Sequence, residues 1–203
     1  MKNHLLITFV RNPELGMVKT RLAQKIGNAN ALKVYIDLLE HTHGTMLSTD
    51  FQNAVFYSEQ IPDRDMWSKD DFLRFAQQGK HLGERMKNAF QTGFGLGFSK
   101  IVLIGSDLPS LKTSHLNEAF YRLKSCDAVI GPAQDGGYYL IGMNQLHQEF
   151  FNDKSWGTST VLEQTLNEVS HLKIDFMETL NDIDNFEDLK GLEKFNTLYD
   201  DYK

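Results

Sequence analysis

The run LLITFV at positions 5–10 sets the strongest limit on how this chain folds. It is apolar or β-branched throughout, with no polar residue at every second place. A strand of that kind is covered on both faces, as in parallel sheets flanked by helices. The rest of the chain supplies partners in alternation. NAVFYSE (53–59), FLRFAQ (72–77), residues 100–105, DAVIGPA (127–133), GYYLIGM (137–143) and KIDFME (173–178) read as strands. Between them, ALKVYIDLLEHTHGTML places Leu32, Tyr35, Ile36, Leu38, Leu39 and Met46 near helical spacing. LGERMKNAFQTGF puts Met86, Phe90 and Phe94 on one stripe. TSHLNEAFYRLKS starts with Thr113 or Ser114 as a cap, and TSTVLEQTLNEVSHL is a further helix. NFEDLKGLEKF reads as a closing helix, with Asn185 and Asp188 in capping-box positions. The predicted class is α/β, with a mainly parallel, doubly wound sheet and helices on both faces. The late strand pair breaks the alternation and predicts a small antiparallel element. Residues 1–203 are expected to form one domain.

Composition narrows the function. The formal net charge of −6 argues against a nucleic-acid partner, which needs a basic face. No apolar stretch is long enough to span a bilayer. The N-terminal run lacks a small-residue cleavage site, and the single cysteine, Cys126, excludes a disulfide framework or a cysteine-based metal cluster. These features predict a cytoplasmic protein without a membrane span.

Parallel α/β sheets bind ligands beyond the carboxyl ends of their strands. Chemistry is therefore sought in loops that follow strands. Asp107, in IVLIGSDLPSL, follows one. A carboxylate there needs a cation or several donors, and a divalent ion such as Mg²⁺ meets that need together with substrate phosphates. Pro109 stiffens the loop; the plainer alternative is an aspartate that caps the next turn. The loop RNPELGMVKTRL after the first strand offers Arg11, Lys19 and Arg21, with Gly16 giving backbone freedom. Lys19 and Arg21 fall at a helix start, where anions are favoured. The loop is not a Walker A sequence, and a solvated basic turn is the alternative. In GPAQDGGYYLIG, Asp135, Gly136 and Gly137 fit a hairpin, or a backbone that approaches a ligand while Asp135 accepts from hydroxyls. Asp182 and Asp184 alternate in NDIDNFEDL; two carboxylates on one side of an extended segment call for a cation, whereas a helix start also favours acids. Trp156, in SWGTST, is either core or flanks the site. GFGLGF (93–98) precedes a strand, the wrong order for a dinucleotide loop. His41 and His43 diverge on a helix, and Ser106 lacks a hydrolase elbow.

Six segments in order, FVRNPELGMVKTRL, GKHLGERM, IGSDLPSL, GPAQDGGYYLIGM, SWGTSTVL and DIDNFEDL, make the chain similar to the radical-SAM/selenodomain-associated transferases. That family is glycosyltransferase-A-like and related to nucleotidyltransferases such as molybdenum-cofactor guanylyltransferase. The resemblance implies a nucleotide-diphospho-sugar transferase fold over nearly the whole chain. It implies Mg²⁺ or Mn²⁺ at Asp107 and Asp184, with Asp182 as a further candidate ligand. It implies phosphate-holding roles for Lys19 and Arg21, with Arg11 and Gly16 beside them in the same loop. Gly136 and Gly137 would line the sugar or acceptor pocket, with Asp135 and Trp156 as neighbouring candidates. The guanylyltransferases carry a GG stretch in the first loop where this chain has RNPELG, which leaves the base open. The expected partners are a nucleotide or nucleotide sugar and a small-molecule acceptor. The expected activity is metal-dependent transfer from a nucleotide-activated sugar, catalysed with Lys19, Arg21 and Asp107. The alternatives are nucleotidyl transfer to a phosphorylated small molecule and a non-catalytic nucleotide-binding protein. A dinucleotide-dependent oxidoreductase is improbable without its glycine fingerprint.

Overall fold

A computed structural model describes residues 3–152 and 154–202. Seven strands form one sheet: β1 (His4–Val10), β2 (Gln52–Tyr57), β3 (Phe72–Ala76), β4 (Lys100–Ile104), β5 (Ala128–Pro132), β6 (Tyr138–Met143) and β7 (Ile174–Phe176). Their spatial order is β3-β2-β1-β4-β6-β5-β7. β6 runs antiparallel to both β4 and β5, and every other pairing is parallel. The antiparallel element is thus one strand inserted between two parallel groups.

The LLITFV run occupies β1 near the centre of the sheet. Leu5, Leu6 and Ile7 are buried, and their side chains divide between two cores. On one face, Leu6, Val55, Val102 and Val129 pack with residues of α1 (Thr20–Leu47) and α3 (Thr113–Arg122). On the other, Leu5, Ile7, Ile101 and Ile130 pack with α2 (Leu82–Gly95), a 3-10 turn (Gln148–Phe151) and residues around α4 (Val161–Glu168). α2 lies close on the sheet because Gly93 has no side chain; a Cβ there would come within 2.5 Å of Ile101 Cδ1. Gly93 of the GFGLGF stretch is thus a packing glycine.

Three local expectations need correction. Helix α3 is capped by neither Thr113 nor Ser114. Lys112 is its N-cap, and the His115 ring accepts from the Lys112 amide at 3.2 Å. The closing segment is not one helix but two 3-10 turns, Glu187–Leu189 and Glu193–Phe195, followed by α5 (Asn196–Tyr202). Gly191, at φ 79°, separates the turns. The expected capping box forms only by half: Asp188 Oδ2 accepts from the Asn185 amide, whereas Asn185 Oδ1 accepts from the Glu187 amide, and Phe186 is the N-cap of the first turn. Finally, α1 starts at Thr20, and Gly27 breaks it with φ 78° and ψ 158°. The pieces before and after that break, together with Ile183, Phe186, Leu189 and Phe195, make a third small core.

Candidate functional site

Because β1, β2, β3, β4 and β5 are parallel and β6 is reversed, one edge of the sheet collects the loops 11–19 after β1, 105–112 after β4, 133–137 between β5 and β6, and the segment after β7. The loop 58–71 after β2, not singled out above, joins them there. Asp107 and the basic loop meet there directly. Lys19 Nζ donates to Asp107 Oδ2 at 2.8 Å. The Lys19 side chain is only 7% exposed and that of Asp107 33%, so the pair is shielded but reachable.

Lys19 also has φ 48° and ψ 44°, a left-handed conformation that no other described non-glycine residue adopts. An L-residue pays roughly 1 kcal/mol or more to sit there. The loop holds it because the backbone on both sides is fixed. The Arg11 amide donates to Tyr35 Oη at 2.8 Å, and the Lys19 carbonyl accepts from the Ala23 amide at 2.8 Å.

The late acidic segment closes the arrangement. The Ile183 amide donates to the Asp107 carbonyl at 3.0 Å, which sets Asp182 and Asp184 beside the β4 loop. The two aspartates then part. Asp184 Oδ2 accepts from Arg21 Nη1 at 2.5 Å, in a pair exposed to solvent. Asp182 lies within the electrostatic reach of two other carboxylates. Burial, then the charges of Asp107 and Asp135, push its carboxyl up to about 6, opposed by Lys19. Among the described residues no group of three or more His, Cys, Asp or Glu could hold a metal ion. The chemistry nearest to a cation site is the Asp107–Asp182 pair, with Asp135 close by.

Asp135 and its glycines form a tight turn. Asp135 Oδ1 accepts from the Gly137 amide at 2.8 Å. Gly136 has φ 89°, and a Cβ on it would stand 2.1 Å from the Ser159 carbonyl oxygen. Its missing side chain therefore accommodates the protein's own SWGTST segment. Trp156 of that segment packs in the core over Gly83, whose Cβ would lie 2.5 Å from the indole ring.

Sequence reasoning missed a cleft on the same edge, whose lining includes Arg11 of the basic loop but none of Lys19, Arg21, Asp107, Asp182 and Asp184. It has a volume of about 580 Å³ and is lined by Arg11, Asn12, Glu14, Met17, Ser58, Glu59 and Gln60. Asn12 closes its floor: its Nδ2 donates to the Gln60 carbonyl at 2.9 Å, and its Oδ1 accepts from the Glu59 amide at 3.2 Å. The rule that found Asp107 would have found Ser58–Gln60 too, since they follow strand β2. Gly16, at φ 79°, makes the turn that carries Met17 to the rim.

The described structure thus brings Arg11, Gly16, Lys19, Arg21, Asp107, Asp135, Gly136, Gly137, Asp182 and Asp184 to one edge. The fold is that of a glycosyltransferase-A-like α/β protein, of the kind shared by nucleotidyltransferases and nucleotide-diphospho-sugar transferases. The chain belongs to the family DUF2064, described as "Uncharacterized protein conserved in bacteria", which matches residues 43–158. A crystal structure from Desulfovibrio desulfuricans G20, provisionally described as a nucleotide-diphospho-sugar transferase, is 31% identical. It covers 98% of this chain and 94% of its own, with a TM-score of 0.87. A cytidylyltransferase from Leptospira borgpetersenii shares the fold at 15% identity and TM-score 0.58, over 98% and 88% of the two chains. The inositol-1-phosphate CTP transferase of T. maritima does so at 13% and 0.55, over 98% and 94%. Among curated proteins, none matches this sequence.

Proposed function

We propose that this protein transfers a sugar from a nucleotide-activated donor to a small acceptor, with the nucleoside diphosphate leaving. The observation that carries the reading is the meeting of Lys19 with Asp107 on the same edge as a cleft of nucleoside size. The whole described chain, and by extension residues 1–203, acts as one transferase unit.

In this reading the nucleoside lies in the cleft and its phosphates reach toward Lys19 and Arg21. Lys19 is buried and held at a fixed place, so it can stabilise charge on the leaving diphosphate without reorganising. Arg21, bound only to an exposed carboxylate, is free to exchange that partner for a phosphate, because exposed ion pairs contribute ~1 kcal/mol or less. A divalent ion would be held by the carboxylates of Asp107 and Asp182; the mutual repulsion that raises Asp182 supports that pairing. Mg²⁺ or Mn²⁺ would supply further neutralisation of the diphosphate. Asp184, already bound to Arg21, would position that cation group instead of binding metal. The acceptor would approach over the 133–137 turn, where Asp135 presents a carboxylate.

The fold shared with a cytidylyltransferase and an inositol-1-phosphate CTP transferase supports a second reading. In it, a phosphorylated acceptor attacks the α-phosphate of a nucleoside triphosphate and pyrophosphate leaves. Product analysis separates the two. Release of a nucleoside diphosphate from a nucleotide sugar supports the first, release of pyrophosphate the second, and neither product from any donor refutes both. The charge balance and the absence of a membrane-crossing helix among the described residues are compatible with a cytoplasmic setting, and the motif series with the radical-SAM-associated group.

A further inference from the structure

We propose that Gly27 is a positioning residue that aims the phosphate-binding cations. The proposal rests on the reading above for what those cations bind. α1 runs from Thr20 to Leu47, but at Gly27 its backbone takes φ 78° and ψ 158°. That region is essentially closed to residues with a Cβ. The seven residues before it form a separate helical piece whose N-cap is Lys19 and whose second residue is Arg21. A continuous helix would carry both cations along the axis of residues 28–47. The break releases them to meet Asp107 and Asp184.

Three observations show that the break is built into its surroundings. Asn30 Nδ2 donates at 3.0 Å to the Ile26 carbonyl, across the break, and at 3.0 Å to Tyr202 Oη. Leu22 and Ile26, on the short piece, are buried in the small core with Ile183 and Phe186, so the piece docks on the segment that carries Asp182 and Asp184. The phosphate loop returns to the same place: a Cβ on Gly16 would lie 3.4 Å from Asn28 Nδ2.

The helix contains its own control. Neither Gly27 nor Gly44 has any atom within 4 Å of a built Cβ, so space does not distinguish them. Only Gly27 has a positive φ. Gly27→Ala therefore perturbs the backbone alone, and Gly44→Ala asks the same question at an ordinary helical position.

The test is calorimetric binding of inorganic pyrophosphate to the intact protein and its variants. Wild type and Gly44→Ala are expected to bind alike, and Gly27→Ala at least tenfold more weakly while it still melts cooperatively. In an Arg21→Gln background the Gly27→Ala penalty is expected to shrink, because the cation it misplaces is already gone. A purely structural glycine would leave that coupling at zero. A folded Gly27→Ala protein with wild-type affinity overturns the proposal. If Gly27→Ala does not fold, Asn30→Ala decides: severalfold weaker binding supports the proposal, and unchanged binding overturns it. Wild type that fails to bind pyrophosphate refutes the anion reading itself, and Gly27's role with it.

Discussion

Lys19 and Asp107 are 88 residues apart in sequence and joined by a 2.8 Å hydrogen bond at the edge where β1 and β4 end. The lysine reaches that contact in a left-handed backbone conformation, with its ammonium group nearly out of solvent. A charge held in a strained, shielded place is costly to keep for stability alone, and this contrast underlies the expectations that follow.

Lys19→Met removes the cation while leaving most of the packing. Its partner is one-third exposed and can hydrate, so the fold should lose only about 1 kcal/mol. Transfer activity should fall by roughly a hundredfold or more, about 3 kcal/mol of barrier. Denaturant melts alongside initial rates would separate these effects. Comparable losses in both would assign Lys19 to the fold.

Asp182 gives a pH dependence with a definite sign. Its folded-state pKa of about 6 exceeds the ordinary 3.8, so between those values only the folded protein holds the proton. Stability from this group is present below about pH 4 and is lost as pH rises through 6. The shift corresponds to at most about 3 kcal/mol. Asp182→Asn should match wild type at pH 4 and be more stable at pH 7.5. Parallel stability curves for the two proteins would show that neither burial nor the charges of Asp107 and Asp135 raise this carboxyl.

Gly136 and Gly137 look equivalent in sequence, but their surroundings differ. At Gly136 a Cβ would meet the Ser159 carbonyl at 2.1 Å with φ at 89°, whereas at Gly137 it would meet only Asp135 Oδ1 at 3.2 Å. Gly136→Ala should cost about 3 kcal/mol, by strain and forced displacement, and Gly137→Ala under about 1. Thermal melts of both variants test the difference.

Most of the strand pattern could be read directly. Apolar runs such as LLITFV and KIVLI have few alternatives once both faces must be buried, and their following loops pointed to Asp107 and to the basic turn. What escaped was set by contacts between distant segments. The break at Gly27 is decided by how Leu22 and Ile26 dock on Ile183 and Phe186, which no local pattern of GNAN reveals. The same docking draws residues 185–195 into 3-10 turns. The separation of Asp182 from Asp184 depends on Arg21 claiming one of them. Alternation in an extended segment said only that both could face one side.

The loop 58–71, whose Ser58, Glu59 and Gln60 line the cleft, is tied to β2 and β3 by a part-buried network. Tyr57 Oη donates to Asp65 Oδ2 at 2.6 Å; Arg74 donates through Nε to Tyr57 Oη at 3.1 Å and through Nη2 to the Pro62 carbonyl at 2.6 Å. Burial and the hydrogen bond to Asp65 raise the Tyr57 phenol well above its ordinary value. Arg74→Met leaves the Pro62 carbonyl without this donor and takes the guanidinium away from Asp65, 3.3 Å distant, and should cost about 2 kcal/mol. Limited proteolysis should then cut within 58–71 faster than in wild type. Unchanged cleavage would mean that the loop holds its shape without Arg74.

The most direct measurement of the central claim is the melting temperature with Mn²⁺ and a panel of nucleoside diphosphates, triphosphates and nucleotide sugars, on wild type and Asp107→Ala. A ligand present at a hundred times its Kd adds about 2.7 kcal/mol, which for a chain of this size raises Tm by roughly 5–10 °C. The account predicts such a rise for wild type with at least one nucleotide, larger with Mn²⁺ than without, and no Mn²⁺-dependent part in Asp107→Ala. A Mn²⁺-dependent rise that persists in the variant, or no rise with any nucleotide, would contradict it.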